Sequence, residues 1–159
     1  MRRFQVSTNL MLILAAIATF ASPIFVYAQT SSSAKVIDIK GDAMYLKGGS
    51  SSWSKLEPTT ILMEGDSIKS SPDSEVRLEL GGTSKTAEVT VRQETEFKFD
   101  TFRHDDEMVD STLLNVGVGG VLVKAEKLIG ASKFEVKTPT SIVGIRGTTF
   151  EVNVPKPQQ

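Results

Sequence analysis

The sequence predicts an all-β domain, arranged as a jelly-roll-like β-sandwich of short, mostly antiparallel strands, with a short β-helix or solenoid as the alternative. Three observations carry this. Apolar and polar residues alternate with a period of two in run after run. Turn-forming residues interrupt those runs at intervals of roughly 8–12 residues. Beyond residue 28, no stretch of about 11 residues or more carries the 3.6-residue apolar stripe of an amphipathic helix.

The strands follow in order. Val36, Ile37 and Ile39 open the first, and Met44-Tyr45-Leu46 come after Gly41-Asp42. Glu75 to Leu80 is the best patterned segment, with Val76, Leu78 and Leu80 set between Glu75, Arg77 and Glu79. The same alternation returns in Val89/Val91, Phe97/Phe99, Phe134/Val136 and Phe150/Val152/Val154. One buried face and one wet face is the pattern of antiparallel sheet, not of parallel strands covered by helices on both sides. Gly48-Gly49 with Ser50 to Ser52, Gly65-Asp66, Pro72-Asp73, Gly81-Gly82 and Gly119-Gly120 have the chemistry of loops or tight reversals. Gly117 to Gly120 also resembles a phosphate loop, but no Lys follows, so a strand kink or turn is the better reading. Ala125 to Ile129 is long enough for one turn of helix. No internal period is firm enough to define a solenoid.

Organisation along the chain is simple. Arg2 and Arg3, the apolar run Leu10–Ala21, the breakers Ser22-Pro23 and the Val26-Tyr27-Ala28 end give residues 1–28 the pattern of a secretory signal peptide. Leu10 to Ala28 would also be about long enough for an uncleaved membrane anchor. Cleavage would leave a polar spacer over 29–34, one β domain over 35–154 and a tail over 155–159, with no membrane span. Loss of the two arginines leaves 16 basic residues against 19 acidic ones, a net charge of −3. That balance argues against a nucleic-acid binder, which needs a basic face for phosphate contacts. The expectation is a bacterial protein, periplasmic or secreted.

Little in the chain points to catalysis. With no Cys and one His, thiol nucleophiles, disulfides and thiolate metal sites are excluded. His104-Asp105-Asp106-Glu107 is the one dense polar cluster, and carboxylates with an imidazole suit divalent cations. Neighbours on a strand point to opposite faces, so the cluster reads better as a solvated hairpin tip between Phe102 and Met108. No nucleophile-elbow pattern surrounds any Ser. Trp53, beside a Ser-rich loop, is a ligand-contact candidate or a lid on a sheet edge. The expectation is a non-enzyme without a cofactor or metal.

The C-terminal segment is distinctive. Phe134-Glu135-Val136-Lys137-Thr138-Pro139-Thr140 leads, after five residues, to Arg146-Gly147-Thr148-Thr149-Phe150-Glu151-Val152. It resembles the signature F-x-V-x-T-P-T-x-x-x-x-x-R-G-T-x-F-x-V of FecR-type periplasmic domains. Trp53 with Leu56, Gly65-Asp66-Ser67-Ile68, Ser74 with the alternating strand after it, and Val116 to Val121 agree with that family, over roughly Lys35 to Val154. Read physically, Pro139 forces Thr138 to be extended and removes one ladder donor. Gly144 and Gly147 permit a bulge or close packing, and Phe150, Val152 and Val154 form a last core strand. Thr138, Pro139, Gly144, Arg146, Gly147, Thr148 and Phe150 are therefore expected to close the fold. Arg146 sits among apolar neighbours, so it should pair internally with a carboxylate or turn carbonyls and pin the last strand.

The family's name-giving members look like regulators that relay a signal from an outer-membrane iron-siderophore transporter to a cytoplasmic sigma factor. Only Met1 to Asn9 precede the apolar run here, too few residues to fold around a sigma factor, so no direct sigma-factor contact is expected. The resemblance implies an isolated domain acting as a binding or interaction module in the cell envelope, possessing a protein or cell-wall polymer as partner. A sensor or carrier for a small molecule or metal is the second expectation.

Overall fold

A computed structural model describes residues 32–81, 85–104, 109–128 and 130–157. Residues 1–28, where a signal peptide is expected, and Asp105, Asp106 and Glu107 of the acidic cluster lie outside the described residues. The strands are β1 (Ser33–Lys40), β2 (Ala43–Leu46), β3 (Trp53–Lys55), β4 (Ile61–Leu62), β5 (Ser67–Ser70) and β6 (Glu75–Gly81). They continue with β7 (Lys85–Val91), β8 (Glu96–His104), β9 (Asp110–Ala125), β10 (Lys133–Lys137), β11 (Ile142–Ile145) and β12 (Thr149–Val154). The fold is all-β, as the alternation predicts. Pairing is antiparallel except between β9 and β10, which run parallel. Antiparallel neighbours leave no stacked parallel coils, so the solenoid alternative does not hold.

The sheet order is β3-β2-β5-β8-β9-β7-β6-β1-β4, with β10 and β12 also on β9 and β11 on β10. That order describes five long strands, each bent once. Segments 53–62, 33–46, 67–81 and 85–104 each place one strand in either half of the sheet, and β9 passes through both halves unbroken. Strands that change sheets at a bend are how orthogonally packed sandwiches make their corners. The two halves share one core. Val76, Leu78, Leu80, Val89 and Val91 come from one side, and Ile68, Phe97, Phe99, Leu114 and Phe134 from the other.

The corner has a consistent local chemistry. Each bent strand carries one residue there with a left-handed backbone: Thr59 (φ 71°), Gly41 (75°), Asp73 (57°), Glu94 (53°) and Gly119 (88°). Such a residue kinks its strand and frees backbone groups from the ladder. Buried hydroxyls take up those groups. Ser74 Oγ accepts from Asp42 N at 3.0 Å, Ser70 Oγ donates to Arg92 O at 2.6 Å and accepts from Thr95 N at 3.0 Å. Thr95 Oγ1 accepts from Gly120 N at 2.9 Å and lies 3.1 Å from Gly120 O. The buried Ser70, Ser74 and Thr95 thus form a polar belt along the bend, and no buried side-chain N or O among the described residues lacks a partner.

Several sequence expectations change. Pro72-Asp73 and Gly119-Gly120 are corners within continuing strands, not reversals; Gly117 to Gly120 is the expected strand kink. The spacer ends early, because β1 begins at Ser33 and Ala34 is fully buried opposite Leu62 and Leu80. Small side chains there fit where larger ones would not. No helix forms among the described residues at 125–128; Ala125 closes β9 and Leu128 tucks into the core.

Candidate functional site

The C-terminal Phe134–Val152 segment divides into two parts. In its second part, Thr148 O accepts Ala125 N at 3.2 Å, and β12 pairs with β9 with Phe150 opposite Val123 and Val152 opposite Val121. Phe150, Val152 and Val154 pack against the core. The first part is an exposed hairpin. Thr138 N donates to Ser141 O at 2.8 Å, while Thr138 Oγ1 accepts from Ser141 N at 3.0 Å, a side chain standing in for backbone. Pro139 fits this turn because its φ is already fixed. The turn returns the chain as β11, whose partner among the described residues is β10 alone.

Arg146's apolar neighbours Ile142, Val143 and Phe150 are expected to be at least partly buried; Phe150 is, but Ile142 and Val143 are not. Ile142 is 61% exposed and Val143 38%, and a Cβ built on Gly144 would touch nothing within 4 Å. Only Ile145 reaches the core. Arg146 follows at the open end of β11, exposed and without a carboxylate or carbonyl partner among the described residues. It pins nothing. Ile142 and Val143 are at the outside of the sheet, one strand beyond β10, and Arg146 itself is exposed, so its guanidinium reaches water without desolvation. Gly147 (φ 67°) then turns the chain into β12 beside Lys127. Arg146→Ala should accordingly shift the urea unfolding free energy by no more than about 0.5 kcal/mol, the range of ordinary surface sites. A loss of several kcal/mol would restore the pinning role.

Charge is distributed unevenly around this hairpin. Elsewhere in the described sheet most cations are paired: Lys40 and Arg92 with Glu75, Arg77 with Asp38, Lys69 with Glu96, Lys85 with Glu79 and Glu88. Lys124, Lys127, Lys133, Lys137 and Arg146 are all exposed, and none has an ion-pair partner among the described residues. Only Glu126 and Glu135 counter them between residues 124 and 146. Lys137 lies opposite Ile142, at the start of β11, and Arg146 lies just past its end. The apolar outer strand is bracketed by uncompensated positive charge.

A second feature is a pair of open pockets along the bend, of about 690 and 630 Å³, both lined by Glu94 and Lys156. The floor of the larger includes Gly119 and Gly120, and its walls carry Arg92, which donates to Glu75 at 3.1 Å and to Glu151 at 3.2 Å. The charges that line it largely satisfy one another. Trp53 lines neither pocket. Trp53 lies on edge strand β3, opposite Leu46 and 37% exposed, the sheet-edge position. His104 Nδ1 is 2.9 Å from Asp110 Oδ1, bridging β8 and β9 where they separate. Among the described residues, no group of three His, Asp or Glu side chains converges as a metal site would need.

Two carboxylates hold loops: Asp66, in the Gly65-Asp66 turn, and Glu64, which sequence reasoning passed over. The buried Asp66 accepts Gly48 N at 2.7 Å and Met63 N at 2.9 Å, tying the β2–β3 loop to the turn before β5. Glu64 accepts both Arg103 Nε (3.0 Å) and Nη2 (2.9 Å), plus Phe102 N (3.0 Å). The Arg103 guanidinium, with help from that N–H, holds the Glu64 carboxyl below its ordinary range. A lowered folded-state value means stability that is present above the ordinary carboxylate range and is lost as pH falls through the folded value. Glu64→Gln should therefore lower the melting temperature at neutral pH, with the gap closing in acid. A gap that persists unchanged in acid would show packing, not charge, to be its cause.

The comparisons with known proteins give no match for this chain among family models, curated proteins or solved structures.

Proposed function

We propose that the chain is an exported, non-enzymatic, FecR-like interaction module that binds another protein in the bacterial cell envelope. The observation that supports this reading best is the β10–β11 hairpin, which leaves an apolar, uncharged strand on the outside of the sheet between Lys137 and Arg146. Monomeric sheets blunt such edges with charge, proline or bulges, and an edge left open is a site for a partner. A direct role in sigma-factor control is not part of the proposal.

The test is capture from envelope extract, with a photoreactive group placed at Gly144 and, as control, at exposed Lys98 on β8. Specific adducts from Gly144 support the reading. A saturable thermal shift with a metal, siderophore or glycan, and no protein adduct, would favour the second reading, a ligand sensor. The pair of pockets at the bend is the observation behind that alternative. Export is checked separately: intact mass of the envelope-fraction protein should place its start near Gln29, and recovery of the full-length chain in the membrane would mean an anchor instead.

A further inference from the structure

The free edges of the sheet are not equivalent. β4 is two residues long, and β3 is three with Lys55 paired to Asp42. β12 carries Glu151 and runs into Pro155 and Pro157, whose rings cannot donate to an added strand. Each of these is protected in a recognised way. β11 is different: Ile142-Val143-Gly144-Ile145 has no charge, no proline and, at Gly144, no side chain to obstruct an approaching backbone. Alternate N–H and C=O groups of an outermost strand point away from its neighbour, ready for a second ladder.

We infer that β11 is a strand-addition site for an extended, apolar protein segment flanked by acidic residues. This rests on the reading of the chain as an interaction module and names the partner's chemistry. Backbone bonds to β11 would supply the register, while Ile142 on one face and Val143 on the other would each meet the added strand's side chains on its own face. Charge selects the occupant. Lys137 and Arg146 stand at opposite ends of β11 without an ion-pair partner among the described residues, and Lys127 lies beside Gly147. Acidic residues at both ends of an incoming strand would therefore find uncompensated partners. A second copy of this chain is disfavoured by the same pattern. Antiparallel pairing of two β11 strands about a two-fold axis would bring cations towards cations at each end, and like charges across an interface are costly.

The experiment titrates the purified protein with three synthetic peptides sharing the core Val-Thr-Val-Thr-Val: one flanked by Glu and Asp, one by Lys, and one acidic but N-methylated at alternate residues. Saturable binding of the first alone, weakening as salt rises, is the expected result. The double variant Lys137→Glu, Arg146→Glu should melt like the parent but bind the acidic peptide about tenfold more weakly. It should also prefer the Lys-flanked peptide. Equal binding of the N-methylated peptide would overturn strand addition. So would absence of binding by any peptide while Gly144 adducts still form, and that outcome would leave the interaction-module reading intact. Concentration-dependent dimerisation abolished by the N-methylated peptide's parent would assign the edge to a second copy. If no protein partner is captured from any face, the broader reading itself fails.

Discussion

Gly119→Ala should be among the most damaging single-methyl additions to this protein. Gly119 sits at φ 88°, where a Cβ is strained. That strain alone costs about 1–2 kcal/mol. Space is the larger problem. An ideal Cβ at Gly119 would lie 2.4 Å from the Thr95 Cα and 2.8 Å from the Glu94 carbonyl oxygen, both backbone atoms that cannot rotate aside. Overpacking of this kind adds roughly 1–3 kcal/mol, and moving Thr95 also strains its bonds to Gly120. The expected total is about 2–5 kcal/mol, against roughly 5–15 kcal/mol for a whole domain. Gly41→Ala is the matched comparison, because its nearest obstacle is the Ser74 Oγ, a side-chain atom. Urea unfolding should rank Gly119→Ala well below Gly41→Ala; equal midpoints would mean that the bend can relax.

Phe99→Ala should cost about 3–5 kcal/mol, the usual range for deleting a buried ring. Phe99 is fully buried on β8, edge-on to Phe97 at 5.1 Å between centroids and stacked on Phe102 at 5.4 Å. Its removal would leave a cavity lined by rings that belong to one strand and cannot collapse independently. Phe99→Leu keeps much of the volume and should lose less, about 1.5 kcal/mol. Denaturant unfolding of the parent and both variants checks the order. If Phe99→Ala lost no more than Phe99→Leu, the site would be filling the space by repacking.

Much of the fold was legible because alternation is a direct image of a two-faced sheet. Val76, Leu78, Leu80, Val89, Val91, Phe97, Phe99, Phe134 and Val136 all lie in the core that their spacing implies. Phe102 was less legible. The register shifts between Phe99 and Thr101, and this bulge returns Phe102 to the buried face three residues after Phe99. The bends were harder still. Asp73 and Glu94 adopt left-handed conformations without being glycine, so nothing in Pro72-Asp73 or Gln93-Glu94 distinguishes a corner from a hairpin. The site was misread for a different reason. Ile142 and Val143 look at least partly buried, and whether they are depends on what lies beyond β11. That is a property of strand order, which local pattern does not encode. Arg146 inherited the error, since its expected burial rested on theirs.

The polar belt at the bend also settles an ambiguity that the hydrophobic pattern leaves open. Sliding one strand by a single residue would turn its apolar side chains to water, which is strongly forbidden. Sliding it by two would keep every apolar residue facing inward, and the core would scarcely object. The corner would object. A two-residue offset of 85–104 against β9 takes Thr95 away from Gly120 and moves the left-handed Gly119 away from the Thr95 and Glu94 backbone that it now admits. The left-handed residues and their hydroxyl partners thus serve as index marks, one per strand, that distinguish the native alignment from its nearest hydrophobically equivalent neighbours. Errors in chain pairing during folding would be recognised at the crease, not in the core.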